Sequence, residues 1–235
     1  DLALIADPTQ TARSIQYWLD EAEVKPSGFA TEMKHQETEI NGPKRPTKNQ
    51  SGHIDFVMAL DQLEQQLPKN RLLVTDGGRF MTEVWSRISV PHPKNFIHSA
   101  NFAAIGQGLQ QAIGAAIAKP DEFVCLFVGD GGFMLGAINE FNTAVRLDIN
   151  LLVVVCNDSA YGAEYIQFKD RQMSPTLSQF DWPSFAEVAT SLGGKGFKIV
   201  NEKDLDTAVK QLNELNGPVL FELFLDPEEM PRMKL

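Results

Sequence analysis

Short apolar runs alternate with longer amphipathic segments from His53 to the end of the chain. The short runs consist almost wholly of Val, Leu, Ile and Phe, which is typical of strands buried on both faces. They predict strands at Leu72–Thr75, Phe96–His98, Phe123–Val128, Leu151–Asn157, Phe197–Val200 and Val219–Leu225. The segments between them predict helices at Ile54–Leu67, Phe102–Lys119, Phe133–Leu147, Pro183–Leu192 and Leu205–Leu215, and a long irregular segment at Asp158–Asp181.

This alternation of strand and helix predicts the fold class. A helix between two strands returns the chain to the same end of the sheet, so successive strands become parallel and helices cover the sheet. We therefore expect an α/β fold with a doubly wound, mainly parallel sheet and helices on both faces.

The first 52 residues follow a different pattern. Leu2–Ala6 predicts a strand and Pro8–Glu23 a helix, but the sequence offers no neighbouring sheet for them to join. Residues 26–52 contain three prolines and mixed charges without an apolar period, which is typical of a linker. We interpret residues 1–25 as the remnant of a preceding domain, residues 26–52 as a linker and residues 53–235 as the main domain. The chain is therefore expected to be part of a longer protein.

Charge and composition narrow the class of function. The sequence has 21 basic and 31 acidic side chains, a formal net charge of −10, whereas nucleic-acid binding needs a basic surface. No apolar stretch reaches the roughly 18 residues of a membrane span, and no signal segment opens the chain. Cys125 and Cys156 lie inside apolar runs, where we expect buried thiols in a reducing compartment. We expect a cytoplasmic enzyme that binds neither nucleic acid nor membrane.

Two aspartates follow neighbouring predicted strands. Asp130 comes after the strand that ends at Val128, and Asp158 comes after the strand that ends at Asn157. The carboxyl ends of parallel strands meet at one edge of a sheet, so these carboxylates are expected to converge. Two carboxylates beside a helix N-terminus suit Mg²⁺, which completes its shell with phosphate and water. Gly131 and Gly132 would let a diphosphate approach the backbone.

Other interpretations of this segment stay open. Gly129–Gly132 is also compatible with a plain strand-to-helix turn, and Asp158 with a helix cap. A dinucleotide-binding motif and a P-loop are excluded, because their required glycines and the GK[ST] triplet are absent. The alternative functions are a Mg²⁺-dependent phosphate-ester enzyme with Asp130 as nucleophile, and a non-catalytic module of the same fold.

The spacing of two motifs indicates a family. Gly129-Asp130-Gly131 is followed after 25 residues by Asn157-Asp158, with Tyr161-Gly162 shortly after. This arrangement resembles the thiamine diphosphate signature of the acetolactate synthase, pyruvate decarboxylase and benzoylformate decarboxylase family, in which GDG precedes NN at about this distance. The resemblance covers about residues 51–225, the diphosphate-binding domain, and residues 1–23 resemble the end of that family's middle domain.

The resemblance implies the metal ligands. Asp130 and Asp158 would each give a carboxylate oxygen, and Ala160 would give its backbone carbonyl. The sequence departs from the family by carrying Asp158 where the second Asn of the pair is usual. The extra charge would strengthen metal binding and also repel diphosphate. Asn157 is expected to orient the loop.

The resemblance also implies residues for the rest of the cofactor. Ile105, 25 positions before Asp130, would support its bent shape, and Ala103 would offer a carbonyl to the aminopyrimidine; core packing is the alternative for Ile105. Glu164 matches a substrate-facing position of some decarboxylases, although a surface helix charge explains it equally well. His98 either faces the cofactor or has its hydrogen bonds satisfied within the protein at the end of its strand. The remaining predicted cofactor-binding residues are Gly78, Gly129, Gly131, Gly132, Tyr161 and Gly162.

The family's chemistry implies an activity for the complete protein. Thiamine diphosphate enzymes of this group decarboxylate or join 2-oxo acids such as pyruvate, and they form dimers or tetramers with active sites between chains. The glutamate that activates the cofactor comes from a pyrimidine-binding domain, and nothing in this sequence resembles that domain. We expect a homodimer or homotetramer, and a chain that is inactive alone. The substrate, the acceptor and the presence of FAD in other domains stay open.

Overall fold

The structure is a computed structural model that describes residues 5–25, 27–28, 52–98, 101–136, 138–212 and 217–230. The chain forms two compact units, residues 1–47 and 48–235. In the first unit, helix α1 (Pro8–Glu21) begins at Asp7, whose carboxylate accepts the Gln10 N–H at 2.8 Å. The predicted strand at Leu2–Ala6 lies mostly outside the described residues, and Ile5 and Ala6 are not in a strand. Most of the predicted linker also lies outside them.

The second unit is built on a six-stranded sheet. Its strands are β1 (Arg71–Thr75), β2 (Phe96–His98), β3 (Phe123–Gly129), β4 (Leu151–Asn157), β5 (Lys195–Ile199) and β6 (Val219–Phe224). Their order in the sheet is β2-β1-β3-β4-β6-β5, and every neighbouring pair is parallel. The predicted fold class is therefore confirmed, and each predicted strand is present to within two residues.

Helices cover both faces of this sheet, because alternate strand residues point to opposite sides. They are α2 (Phe56–Gln66), α3 (Met81–Arg87), α4 (Gly108–Ala118), α5 (Asp130–Leu135), α6 (Glu140–Arg146), α7 (Gly162–Asp170), α8 (Phe185–Ser191) and α9 (Glu202–Leu212). One apolar core includes α2, α3 and α9, and the other includes α4, α5, α6 and α8. None of the helices in the described parts of the chain is long and apolar enough to cross a membrane.

Two predicted helices differ clearly from the structure, and two observed helices were not predicted. The helix predicted at Phe102–Lys119 begins at Gly108, because Phe102 and Ala103 have φ values of 58° and 52° that break a helix. The helix predicted at Phe133–Leu147 is two helices, α5 and α6, of which the first begins at Asp130. The segment predicted to be irregular after Asp158 contains α7, and α3 was not predicted.

The strand order locates a binding site. The chain runs from β1 outward to β2 and then returns to place β3 on the other side of β1. Such a reversal leaves a crevice at the carboxyl ends of β1 and β3, which is where ligands bind in open α/β sheets. The loops that follow β1, β3 and β4 all leave the sheet at this edge.

Candidate functional site

A cleft of about 620 Å³ opens at this edge of the sheet. It is lined by the loops after β1, β3 and β4 and by the segment after β2. All the residues predicted from the sequence as site residues line it: Gly78, Ala103, Ile105, Gly129, Asp130, Gly131, Gly132, Asp158, Ala160, Tyr161, Gly162 and Glu164. The fold therefore brings the predicted residues together, while their individual roles stay predictions.

Asp130 is the first residue of helix α5 and is 2% exposed. Its Oδ2 accepts the Ala160 N–H at 3.0 Å and the Trp182 indole N–H at 2.8 Å. Burial raises the pKa of Asp130 to about 6, although hydrogen bonds from the Gly131 N–H and these two donors oppose the rise. The Asp130 carboxylate is therefore held in place by hydrogen bonds, but these do not fully offset the cost of burying its negative charge.

Asp158 follows β4 and is 5% exposed. Its pKa is raised to about 7, first by burial and then by repulsion from Asp130, while the Arg79 guanidinium acts in the opposite direction. A divalent cation would relieve the repulsion between two buried carboxylates of this kind.

The loop that carries Ala160 is held by a short antiparallel ladder. The Tyr161 N–H donates to the Ser178 carbonyl and the Phe180 N–H donates to the Ser159 carbonyl, both at 2.9 Å. This pairing does not use the N–H or the carbonyl of Ala160 itself. The N–H donates to Asp130, and the ladder leaves the carbonyl available for another partner.

The Asn157 side chain belongs to a buried network. Its amide donates to Glu222 Oε1 at 2.9 Å, and its oxygen accepts the Ser159 N–H at 3.1 Å. Glu222, on β6, also accepts the Ser184 hydroxyl and the Ala186 N–H, each at 3.0 Å. Sequence reasoning missed Glu222, whose only signal was a single acidic residue inside an apolar strand.

The glycines after β3 have a packing role that the sequence did not indicate. A Cβ atom added to Gly131 would lie 2.3 Å from Cε1 of Tyr161, and one added to Gly132 would lie 2.8 Å from Oδ2 of Asp76. No side chain fits at either position without displacing its neighbour. The expected role of these glycines in admitting a diphosphate is compatible with this packing and stays a prediction.

Asp76 connects the β1 loop to the segment that carries Ile105. Its carboxylate accepts the Gly77 N–H at 2.9 Å and the Gly106 N–H at 2.6 Å. Burial raises its pKa, and those hydrogen bonds oppose the rise. Gly106 has a φ of 88°, and a Cβ atom there would lie 2.7 Å from Cα of Gly136. The backbone next to Ile105 is therefore held by the hydrogen bond to Asp76 and by close packing against Gly136.

One border of the cleft is made by α7 and the segment after β6. Glu164 is in the first turn of α7 and is exposed. Arg79 donates to the Pro227 carbonyl at 2.8 Å and also to the Met230 carbonyl. Met230 lines the cleft, so Arg79 fixes that part of its wall.

The cleft contains oxygen donors of the kind that Mg²⁺ prefers. Within the described residues, no group of three or more His, Cys, Asp or Glu side chains could hold a metal ion by itself. The carboxylates of Asp130 and Asp158 and the carbonyl of Ala160 would leave the remaining positions of an octahedral shell for phosphate oxygens and water. This pattern is usual for Mg²⁺, which seldom has a shell made entirely of protein atoms.

The fold and the cleft together define a cofactor-binding α/β domain, with paired carboxylates at the crevice beside a strand reversal. The family model described as "Thiamine pyrophosphate enzyme, C-terminal TPP binding domain" matches residues 76–223. That match covers more than half of the chain, and the chain belongs to this family. The resemblance drawn from the two sequence motifs is thereby confirmed.

Curated relatives with similar sequences are longer than this chain. A probable acetolactate synthase large subunit of Methanocaldococcus jannaschii is 25% identical over 97% of this chain and 40% of its own length. Acetolactate synthase isozyme 2 large subunit of Escherichia coli is 29% identical over 73% of this chain and 32% of its own length. Mouse 2-hydroxyacyl-CoA lyase 2 is 32% identical over 69% of this chain and 25% of its own length. The chain thus spans two fifths or less of these relatives.

A solved structure has the same fold. A thiamine diphosphate-dependent 4-hydroxybenzoylformate decarboxylase of Rhodococcus jostii RHA1 superimposes with a TM-score of 0.69 and 23% identity. The match covers 79% of this chain and 35% of that one. At this identity, the likeness supports the shared fold alone.

Proposed function

We propose that this chain is the cofactor-binding part of a thiamine diphosphate-dependent enzyme that decarboxylates or joins 2-oxo acids, as acetolactate synthases do. The observation that carries the proposal is the buried pair Asp130 and Asp158 at the cleft, within a chain that belongs to the thiamine pyrophosphate enzyme family. The relatives named as acetolactate synthases support a 2-oxo acid such as pyruvate as the substrate.

We propose that Asp130, Asp158 and the Ala160 carbonyl hold Mg²⁺, and that the ion binds the diphosphate. A cation would neutralise the repulsion between the two carboxylates and connect an acidic protein to an anionic ligand. When bound, thiamine diphosphate supplies the electron sink for loss of CO₂ from a 2-oxo acid. The neutral wall around Ile105 and Ala103 would receive the ring end and exclude water from it.

The complete active site needs groups from elsewhere. We infer that a pyrimidine-binding domain of a partner chain supplies the activating glutamate, so the working protein is a homodimer or homotetramer. Glu164 would face the substrate at the cleft border. On these grounds we propose that the 235-residue chain alone binds the cofactor without turnover, and that the enzyme is cytoplasmic.

Calorimetry tests the proposal. Titration of the full chain with thiamine diphosphate should give heat of binding with Mg²⁺ and none with EDTA. Asp130→Ala should abolish the Mg²⁺-dependent binding, whereas Asp121→Ala, at an exposed aspartate before β3, should leave it unchanged. Equal affinity of the wild type and Asp130→Ala would contradict the metal site. CO₂ release from pyruvate at enzyme-like rates by the chain alone would contradict the need for a partner.

A further inference from the structure

His98 is the last residue of β2 and lines the cleft. Its strand partner is Thr75, the last residue of β1. The side chain is half-buried, so part of it is accessible to a ligand in the cleft. The proposed function assigns this histidine no role.

Two neighbours hold the imidazole ring in place. Nδ1 lies 3.0 Å from Oγ1 of Thr75 and 3.1 Å from its carbonyl oxygen. The indole N–H of Trp85 donates to the same Oγ1 at 3.1 Å. The Trp85 ring meets the imidazole edge-on, with 4.8 Å between ring centres and 83° between planes. His98 therefore has a fixed orientation, which a solvated histidine at a strand end does not need.

The contacts favour one tautomer. A carbonyl oxygen can only accept a hydrogen bond, so the 3.1 Å contact with Thr75 O favours a proton on Nδ1, which the Thr75 hydroxyl oxygen can also accept. In the neutral ring Nε2 then carries a lone pair. Among the described residues, Nε2 has no hydrogen-bond partner. The His98 ring opposes the rise in the pKa of Asp76, the residue that follows β1.

The sheet sets the distance between His98 and the carboxylates. Strand β2 lies two strand intervals from β3, which ends at Gly129, the residue before Asp130. Neighbouring strands are about 4.8 Å apart, so the two strand ends lie about 10 Å apart along the sheet edge. His98 lies level with Phe127, because both pair with Thr75, and Asp130 lies three residues beyond Phe127. A ligand anchored by its diphosphate at Asp130 therefore needs a further group more than about 10 Å away to reach His98.

We propose that His98 is a ligand-contacting residue that presents Nε2 to the ring end of the bound cofactor. This inference rests on the proposed function, because it takes the diphosphate end to lie at Asp130 and Asp158. The neutral ring accepts a hydrogen bond at Nε2, and a protonated ring donates one there. His98 thus gives this end of the cleft an acid–base group that the chain itself supplies.

Nitrogen NMR of the histidine rings tests the inference in the full chain. The chain has four histidines, and the His98 signals are those absent from the spectrum of His98→Gln. In the free protein, Nδ1 of His98 should carry a proton. Addition of Mg²⁺ and thiamine diphosphate should move the Nε2 signal, whereas Mg²⁺ and inorganic pyrophosphate, which lacks the rings, should leave it in place.

Calorimetry on two variants gives a second readout. His98→Gln should weaken thiamine diphosphate binding about fivefold, the value of one net hydrogen bond, with unchanged binding of Mg²⁺-pyrophosphate. Retained pyrophosphate binding also demonstrates that the variant is folded. His92→Gln, an exposed histidine before β2, is the matched control and should change neither affinity.

The possible results separate this inference from the proposed function. A wild-type chain that binds neither thiamine diphosphate nor pyrophosphate would overturn both. A wild-type chain that binds thiamine diphosphate without moving the Nε2 signal would overturn the role of His98 alone. A signal that moves equally with pyrophosphate would also overturn it, because His98 would then sense the metal end of the cleft.

Discussion

Replacing Asp158 with asparagine should stabilise the metal-free protein at alkaline pH. The pKa of Asp158 in the folded protein is raised from its ordinary value of 3.8 to about 7. One pKa unit corresponds to about 1.4 kcal/mol, so keeping this carboxylate ionised in the folded state costs about 4 kcal/mol at pH 8. Asparagine keeps the shape of the side chain and carries no charge.

The sign of the pH dependence follows from the direction of the shift. Because the pKa is raised on folding, the stabilising contribution is complete below about pH 4 and is lost as the pH rises through about 7. Between pH 5 and pH 8 the wild-type protein should lose about 3 kcal/mol of unfolding free energy from this residue. The pKa of Asp130 is raised as well, and its titration adds to the slope in the same direction.

Urea denaturation at several pH values, followed by circular dichroism in EDTA, measures this effect. The Asp158→Asn variant should show a clearly flatter dependence on pH than the wild type and a higher unfolding free energy at pH 8. Asp121→Asn, at an exposed site, should follow the wild-type curve. Identical slopes for Asp158→Asn and the wild type would refute the electrostatic reasoning for the carboxylate pair.

Two further substitutions at the cleft, with Gly114→Ala as a comparison, test its packing and one hydrogen bond by urea denaturation. Gly131→Ala should destabilise the protein by about 1–3 kcal/mol, because the added Cβ would lie 2.3 Å from the Tyr161 ring. Gly114→Ala should stabilise it by about 0.5–1 kcal/mol, because the added Cβ would lie in open space on α4. Equal effects of the two substitutions would contradict the geometry. Trp182→Phe removes a donor to the buried Asp130 and should destabilise the fold by about 1.5–3 kcal/mol, and a change below about 0.5 kcal/mol would count against that hydrogen bond.

Strands β1, β3, β4 and β6 were predictable because they are buried on both faces and therefore read as largely apolar runs. The convergence of Asp130 and Asp158 was also predictable, since parallel topology alone brings consecutive strand ends to one edge. The helix starts were not. Phe102 adopts a positive φ that no side-chain pattern marks.

The side chains that support the site were predictable only in part. Trp182 lies 52 residues from Asp130, and Glu222 lies 65 residues from Asn157. Contacts over such separations depend on how whole elements pack, and neither residue belongs to a motif. The sequence suggested that Gly131 is a glycine so that a phosphate can approach the backbone. In the structure, a Cβ atom at this position would collide with the ring of Tyr161.

A crystal structure of the full chain with Mg²⁺ and thiamine diphosphate tests the central proposal most directly. The proposal predicts one octahedral ion with oxygens of Asp130, Asp158, the Ala160 carbonyl and the diphosphate all about 2.1 Å from it. An ion that contacts only one of the two carboxylates, or a diphosphate bound away from this edge of the sheet, would contradict it.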